Sequence, residues 1–128
     1  MEQRPHSPAG IRAPFGRYHH VVEVRGASRM VFLSGQVGIA PDGGVPDTVD
    51  AQSEQAFANI DACLAAAGLV RRHVVRLTAF LTEAAYRGDY MRVRDAWVEE
   101  PFPASTLIVV KALALPELKV EIEAVAAA

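Results

Sequence analysis

The chain has 128 residues, of which 51% are hydrophobic and 22% are charged, and its formal net charge is −2. This length and apolar content predict one domain with a core of its own and exclude a disordered chain. The charge gives no basic excess of the kind that nucleic-acid binding needs, so nucleic acid is not an expected partner.

The N-terminal segment, residues 1–13, is predicted to be an irregular arm because it is polar and contains Pro5, Pro8 and Gly10. It lacks the apolar stretch typical of a signal peptide, and no run in the chain approaches the ~20 apolar residues that span a bilayer. The only cysteine, Cys63, excludes an internal disulfide and favours a reducing compartment. We therefore expect a cytoplasmic protein that makes no membrane contact.

An opening hairpin is predicted next. Residues 18–24 (YHHVVEV) alternate as a strand, with Tyr18 and His20 on the same side, and residues 26–28 make a turn. Residues 30–33 (MVFL) then read as a buried strand that leads into Ser34-Gly35-Gln36. The adjacent histidines His19 and His20 point to opposite faces of such a strand, so they do not predict a metal site.

A first helix is predicted over residues 47–67, capped by Asp47, Thr48 or Asp50 and followed by Gly68 at the position that favours glycine. Its apolar residues recur at the i, i+4, i+8 spacing of a buried stripe: Ala56, Ile60, Leu64 and Ala67. Phe57 lies beside this stripe.

A central strand and a second helix follow. Residues 73–82 are rich in β-branched and apolar residues and predict a strand. A second amphipathic helix is indicated by aromatic and apolar residues spaced four, three and four apart, and Pro101 and Pro103 end it. These residues are Tyr86, Tyr90, Val93 and Trp97.

Residues 103–126 are predicted to form a pair of strands joined by a loop that holds Leu115-Pro116-Glu117. The continuous apolar run at residues 107–110 predicts burial on both faces. In the last strand Glu121 and Glu123 share one face, while the alternate residues are apolar. The two acids either face solvent or line a site or subunit boundary.

The predicted order is therefore β-β-α-β-α-β-β. Strands that alternate with helices predict an α+β protein with a mixed sheet and both helices packed on one face. The opposite face carries a mixture of apolar, polar and charged residues. A helix-free sheet face on a small domain is often buried by oligomerisation, so we expect an assembly of several copies.

Four segments in this order resemble the Rid (YjgF) family of reactive intermediate or imine deaminases, and the resemblance covers about residues 13–126. It implies a chorismate-mutase-like α+β fold, a homotrimer, and small-molecule clefts between neighbouring subunits. The segments are residues 15–18 (FGRY), 31–36 (VFLSGQ), 52–68, and 103–104 (PA) followed by 115–117 (LPE) and 120–124 (VEIEA).

The resemblance implies a chemistry from which this chain departs at Ser105. Active deaminases of the family carry an arginine directly after Pro-Ala, where it holds the carboxylate of a 2-imino acid. A serine donates one neutral hydrogen bond and cannot neutralise a carboxylate, which argues against 2-imino acid substrates. Two candidate replacement cations are Lys111, which has the strand parity of Ser105, and Arg17, which precedes Tyr18.

Other positions match the family site. Glu121 matches the acid that orders the attacking water, with a subunit salt bridge as the alternative role. Tyr18 and Ser34 match residues that line the cleft, although Tyr18 could equally be a core-edge residue and Ser105 a strand-packing residue. No cofactor or metal is implied, because an imine is already an activated electrophile.

The sequence therefore leaves three functions open. The first is hydrolytic deamination of an enamine or imine at a subunit-interface cleft. The second is a non-catalytic, trimeric protein that binds or senses a metabolite. The third is a ribonuclease or translation inhibitor, a function attached to parts of the family, and the net charge of −2 weighs against it.

Overall fold

The computed structural model describes residues 1–128, which form six strands and two α-helices. A 3-10 turn precedes β4 and another precedes α2. In chain order the elements are β1 (Glu2–His6), β2 (Val21–Arg25), β3 (Met30–Val37), α1 (Val49–Ala66), β4 (Val74–Leu81), α2 (Arg87–Trp97), β5 (Ala104–Val109) and β6 (Val120–Ala127).

The main sheet has four strands in the order β3-β6-β4-β5. β6 is antiparallel to both of its neighbours, whereas β4 and β5 are parallel and are connected through α2. The predicted pairing of the two C-terminal strands is therefore wrong, because β4 lies between β5 and β6. The loop after β5 is long enough to cross β4, and β6 takes the central place that its buried apolar face requires.

The N-terminal segment is not an irregular arm as predicted. β1 pairs with β2 in an antiparallel two-stranded sheet, with Glu2 opposite Arg25 and His6 opposite Val21. Pro5 lies in an edge strand, the usual place for a proline within a sheet. His6 Nε2 lies 2.8 Å from Glu23 Oε2, which adds a side-chain contact across the pair.

The predicted opening hairpin is also wrong, because β2 pairs with β1 and β3 pairs with β6. β2 begins at Val21, three residues later than predicted. The segment before it is held elsewhere, since the His19 N–H donates to the carbonyl of Pro103 at 3.0 Å. Tyr18 is thereby anchored beside β5 and not in a hairpin.

The first helix is confirmed. Thr48 is the N-cap, and its side chain accepts a hydrogen bond from the Ala51 N–H at 3.3 Å. Ile60 and Phe57 are buried as the spacing predicted. Gly68 follows the C-cap with φ +72°, a left-handed conformation that favours glycine.

The second helix is confirmed as well, and it packs against the first. Tyr90 and Trp97 are buried, and the Trp97 ring stacks on Phe57 with ring centroids 4.6 Å apart. Both helices cover one side of the main sheet, where Leu77 and Ile122 are fully buried. Neither helix has the length and apolar character that crossing a lipid bilayer requires.

The other side of the main sheet carries no helix, as predicted, and we call it the open face. Phe32 on β3 is 76% exposed there, so the prediction of a buried strand holds only for its alternate residue Leu33. Burial on both faces of the first C-terminal strand is wrong for the single chain, because β5 is an edge strand whose Ile108 and Val109 are 42% and 50% exposed. Val109 pairs with the buried Leu81 on the helix-covered side, so the apolar side chains exposed on the open face are those of Phe32 and Ile108.

Candidate functional site

A cleft of about 450 Å³ lies between α2 and β5, and we call it the α2–β5 cleft. It contains two residues that the sequence pointed to, Tyr18 and Ser105. Its walls are largely apolar with a few polar groups, which is typical of small-molecule sites. The lining residues are Phe15, Tyr18, Ala84, Arg87, Met91, Arg94, Ser105, Leu107 and Val109.

Ser105 enters this cleft from the helix-covered side of the sheet. It is the second residue of β5 and lies opposite Leu77 of β4, whose side chain is fully buried under the helices. Paired residues in neighbouring strands share a face, so Ser105 points toward α2. Its Oγ accepts a hydrogen bond from Arg94 Nη1 at 3.4 Å.

Sequence reasoning missed Arg94, although the helix pattern contains a signal for it. Tyr90, Arg94 and Trp97 are spaced four and three apart, so Arg94 occupies the buried stripe of α2. Its side chain is only 3% exposed. A buried guanidinium needs partners, and Asp95 Oδ1 accepts from Arg94 Nε at 3.1 Å and from Nη2 at 2.9 Å.

The segment before Tyr18 closes over this ion pair. A Cβ on Gly16 would lie 2.6 Å from Arg94 Nη2 and 2.8 Å from Asp95 Oδ2, so only glycine fits against the pair. The Arg17 N–H donates to Asp95 Oδ1 at 3.2 Å, and the Arg17 guanidinium donates to the Asp95 carbonyl. Arg17 is therefore exposed and bound to Asp95, outside the cleft lining.

Tyr18 lies inside the cleft beside Arg94. The Tyr18 hydroxyl accepts a hydrogen bond from the Phe15 N–H at 3.1 Å, which leaves its own proton free to be donated. The Arg94 guanidinium carbon lies 5.2 Å from the centre of the Tyr18 ring, within the range of a cation–π contact. Tyr18, Ser105 and Arg94 thus form one polar corner of the cleft.

Glu121 lies on the opposite side of the sheet. It pairs with Phe80 of β4, one residue out of phase with the buried Ala79 and Ile122, so its carboxylate projects from the open face. It takes part in no salt bridge within the chain. A single chain therefore does not bring Glu121 together with Ser105.

Gly35 makes room for the Glu121 carboxylate. It lies where the pairing of β3 with β6 shifts register, and a Cβ there would be 2.0 Å from Glu121 Oε1. Ser34, one residue earlier, is exposed on the open face and lines a smaller cleft of about 290 Å³ with Glu123 and Arg76. The Ser34-Gly35-Gln36 segment thus belongs to the surroundings of Glu121.

We expect Gly35→Ala to impair any reaction that uses Glu121 without unfolding the chain. The new methyl group must displace the end of a flexible side chain, and a misplacement of about 1 Å can lower a rate by roughly 100-fold. Circular dichroism melting should change little while the rate of that reaction falls. Gly10→Ala is the matched control, because nothing lies within 4 Å of its added Cβ. An unchanged rate in Gly35→Ala would contradict the placement of Glu121 in the site.

Lys111 lies in a different cleft from Ser105. This second cleft has a volume of about 280 Å³ and is formed by the loops before α1 and after β5, with Asp47, Glu83 and Lys119 among its lining residues. β5 ends at Val109, so strand alternation no longer carries Lys111 to the Ser105 side. The structure therefore brings together Tyr18 and Ser105, and it separates them from Glu121, Ser34, Lys111 and the side chain of Arg17.

The chain offers no cluster of ligands for a metal ion. No group of three or more His, Cys, Asp or Glu side chains has a suitable arrangement. His20 Nε2 lies 2.6 Å from the carbonyl oxygen of Arg12, and the His19 ring packs against Phe102. The polar groups of the α2–β5 cleft are instead suited to binding an organic ligand.

Comparison with known proteins identifies the family. Residues 10–128 match the family described as Endoribonuclease L-PSP. The chain belongs to this family, which is also known as Rid or YjgF. The crystal structure of the Rid-family protein YyfB from Yersinia pestis, described as of unknown function, superposes with a TM-score of 0.89 at 33% identity and full coverage of both chains.

Two sequence relatives support this family assignment. A RutC family protein of Aquifex aeolicus is 35% identical over 116 residues, covering 88% of this chain and 90% of the relative. The mouse 2-iminobutanoate/2-iminopropanoate deaminase is 34% identical over 116 residues, covering 89% and 83%. The predicted Rid family and its α+β fold are thus confirmed.

Proposed function

We propose that this Rid-family chain hydrolyses small enamines or imines in a cleft shared by two copies. The mouse relative is named as a 2-iminobutanoate/2-iminopropanoate deaminase, which supports a reaction of this type, and the chain covers most of that relative. The α2–β5 cleft has the size and the mixture of apolar and polar walls that a small organic ligand needs.

The observation that carries the proposal is the position of Glu121 relative to the cleft. Ser105 and Tyr18 lie on the helix-covered side of the sheet, and Glu121 projects from the open face. A site that contains all three must therefore combine the cleft of one copy with the open face of another. The cleft opens beside β5, the edge strand, where a second copy has access.

Such an arrangement fits a homotrimer, in which each copy supplies a cleft to one neighbour and an open face to the other. A closed ring of this kind uses the same heterologous contact three times and leaves no open face unburied. The exposed Phe32 and Ile108 give that contact an apolar centre. We place this assembly in the cytoplasm, in keeping with the single unpaired Cys63.

The proposed chemistry needs only a positioned water molecule and a carboxylate. Glu121 accepts a proton from water as the water oxygen forms a bond to the imine carbon. With the substrate in its iminium form, this addition gives a neutral carbinolamine. Glu121 then passes its proton to the carbinolamine nitrogen, the carbon–nitrogen bond breaks and ammonia leaves, and the Glu121 carboxylate takes up the hydroxyl proton as that oxygen becomes the carbonyl of the product. An enamine enters the same route after protonation at carbon gives the iminium form. Neither a metal nor a cofactor takes part in this scheme.

A second candidate function is non-catalytic binding of a metabolite in the same cleft. The observation that favours it is Ser105, which replaces a charged anchor by a neutral hydroxyl. Ligand binding without turnover would support this alternative. The family description also names a ribonuclease, and the net charge of −2 continues to weigh against RNA as a substrate.

The test of the proposal is an imine-trapping assay. An amino acid oxidase generates 2-imino acids, a flavin amine oxidase generates imines that lack the carboxylate, and semicarbazide traps the imines that persist. We expect the purified protein to lower the yield of trapped product, because it hydrolyses the imine first, whereas heat-denatured protein should have no effect. If the native protein leaves trapping unchanged across imines with different side chains, the hydrolase proposal fails and the binding protein is favoured.

A further inference from the structure

Arg94 is a buried guanidinium whose partners do not use all its donors. A guanidinium has five N–H groups, and within the chain Arg94 uses two on Asp95 and one on Ser105. The contacts to Asp95 measure 3.1 and 2.9 Å, and the contact from Nη1 to Ser105 Oγ measures 3.4 Å. Asp95 thus holds the guanidinium in place, and the Nη1 side, which faces the cleft, makes the weakest contact.

The charge of the cleft lining points to an anionic ligand. Two of the nine lining residues are arginines, Arg87 and Arg94, and none is acidic. Asp95 offsets the charge of Arg94, because its carboxylate accepts hydrogen bonds from Arg94 Nε and Nη2. Arg87 forms no salt bridge, and its guanidinium carbon lies 5.1 Å from the centre of the Phe15 ring. The cleft therefore keeps a net positive charge without a counter-ion.

Ser105 leaves the buried Arg94 guanidinium within reach of the cleft because the serine side chain is small. Since Ser105 Oγ accepts from Arg94 Nη1, the Ser105 hydroxyl hydrogen is free to point into the cleft. A ligand oxygen at that place would receive one hydrogen bond from Ser105 and another from Nη1. The long 3.4 Å contact is the one that Arg94 most readily gives up to a charged acceptor.

We propose that Arg94 and Ser105 together bind the carboxylate of the substrate, so that α2 supplies the guanidinium that the Pro103-Ala104-Ser105 segment lacks. The inference rests on the proposed function. The ligand class is a small 2-imino or enamine acid with an apolar side chain, which packs against Met91 and Leu107. This assignment restores 2-imino acids as substrates, which Ser105 by itself argued against.

The test uses 2-oxobutanoate, a hydrolysis product of this class, and its amide, 2-oxobutanamide, which has the same shape and no charge. Isothermal titration calorimetry on the wild-type protein should show roughly 10- to 100-fold tighter binding of the acid, the range expected for charge-assisted hydrogen bonds. In Arg94→Gln the ratio of the two affinities should fall to about one. Arg92→Gln is the matched control, because it removes the same charge from the exposed side of α2, and it should keep the wild-type ratio.

Ser105→Ala is the second test variant, for the case in which Arg94→Gln does not fold. It removes only a hydroxyl, and we expect it to weaken acid binding roughly threefold to tenfold with little change for the amide. The proposal is overturned if the wild-type protein binds the acid and the amide equally or binds neither. It is also overturned if folded Arg94→Gln, or Ser105→Ala, keeps the wild-type ratio of the two affinities.

The imine-trapping assay separates this inference from the proposed function. Arg94-dependent selectivity for the acid in a protein that hydrolyses no imine would support the carboxylate site and refute the hydrolase. Hydrolysis with full acid selectivity in Arg94→Gln would support the hydrolase and overturn the role of Arg94.

Discussion

Glu121→Gln should lower the rate of imine hydrolysis by roughly 100- to 10,000-fold, the usual contribution of a positioned general base. Glutamine has nearly the same shape but cannot accept a proton from water. Because the Glu121 carboxylate forms no salt bridge within the chain, its neutral substitute should leave the fold intact. The imine-trapping assay measures the rate, and circular dichroism verifies the fold.

Glu123→Gln is the matched control for this substitution. Glu123 is two residues along β6 on the same face and is exposed, so its variant removes an equal charge from the neighbourhood of Glu121. It should keep most of the wild-type rate. Equal losses in both variants would indicate a general effect of charge on the open face, and full activity in Glu121→Gln would rule out the proposed mechanism.

Phe32→Asp should separate the copies of the assembly and abolish hydrolysis with them. The Phe32 side chain lies on the open face, 76% exposed in the single chain, where the proposal buries it against a neighbour. An unpaired carboxylate buried in such an interface destabilises the assembly by an amount on the order of several kcal/mol, in addition to the lost apolar contact. Size-exclusion chromatography with light scattering should show a fall from three times the 13.8 kDa chain mass to a single chain.

The matched control for the assembly is Val70→Asp. Val70 is an exposed apolar residue before the 3-10 turn that leads into β4, away from the open face, and an aspartate is well tolerated at that capping position. The control should keep the wild-type mass and rate. A wild-type protein that elutes as a single chain yet hydrolyses imines would contradict the shared cleft.

The elements that local patterns define were predicted correctly. The apolar spacing around Ile60 and Trp97 placed both helices, since burial of one stripe repeats with the helical turn. Strand pairing was predicted wrongly, because a strand such as Val21–Arg25 has an equally suitable pattern for several partners. Its pairing with Glu2–His6 depends on where the rest of the chain holds Tyr18, which is tertiary information.

The candidate site likewise contains some residues that the sequence could predict and others that it could not. Tyr18 and Ser105 could be named because they lie in segments with a family resemblance. Arg94 could not, since an arginine in an amphipathic helix is normally assigned to the solvent side. Lys111 was named by extending the alternation of a strand that in fact ends at Val109, two residues before it.

The close approach of Gly16 to the Arg94–Asp95 pair ties two distant parts of the chain to each other. No side chain fits at position 16 while both charged groups occupy their places. A relative in which residue 94 or 95 is small would be free to carry a larger residue at position 16. The three positions are therefore expected to change together among related chains, and such linked changes would mark those members whose carboxylate anchor comes from the helix.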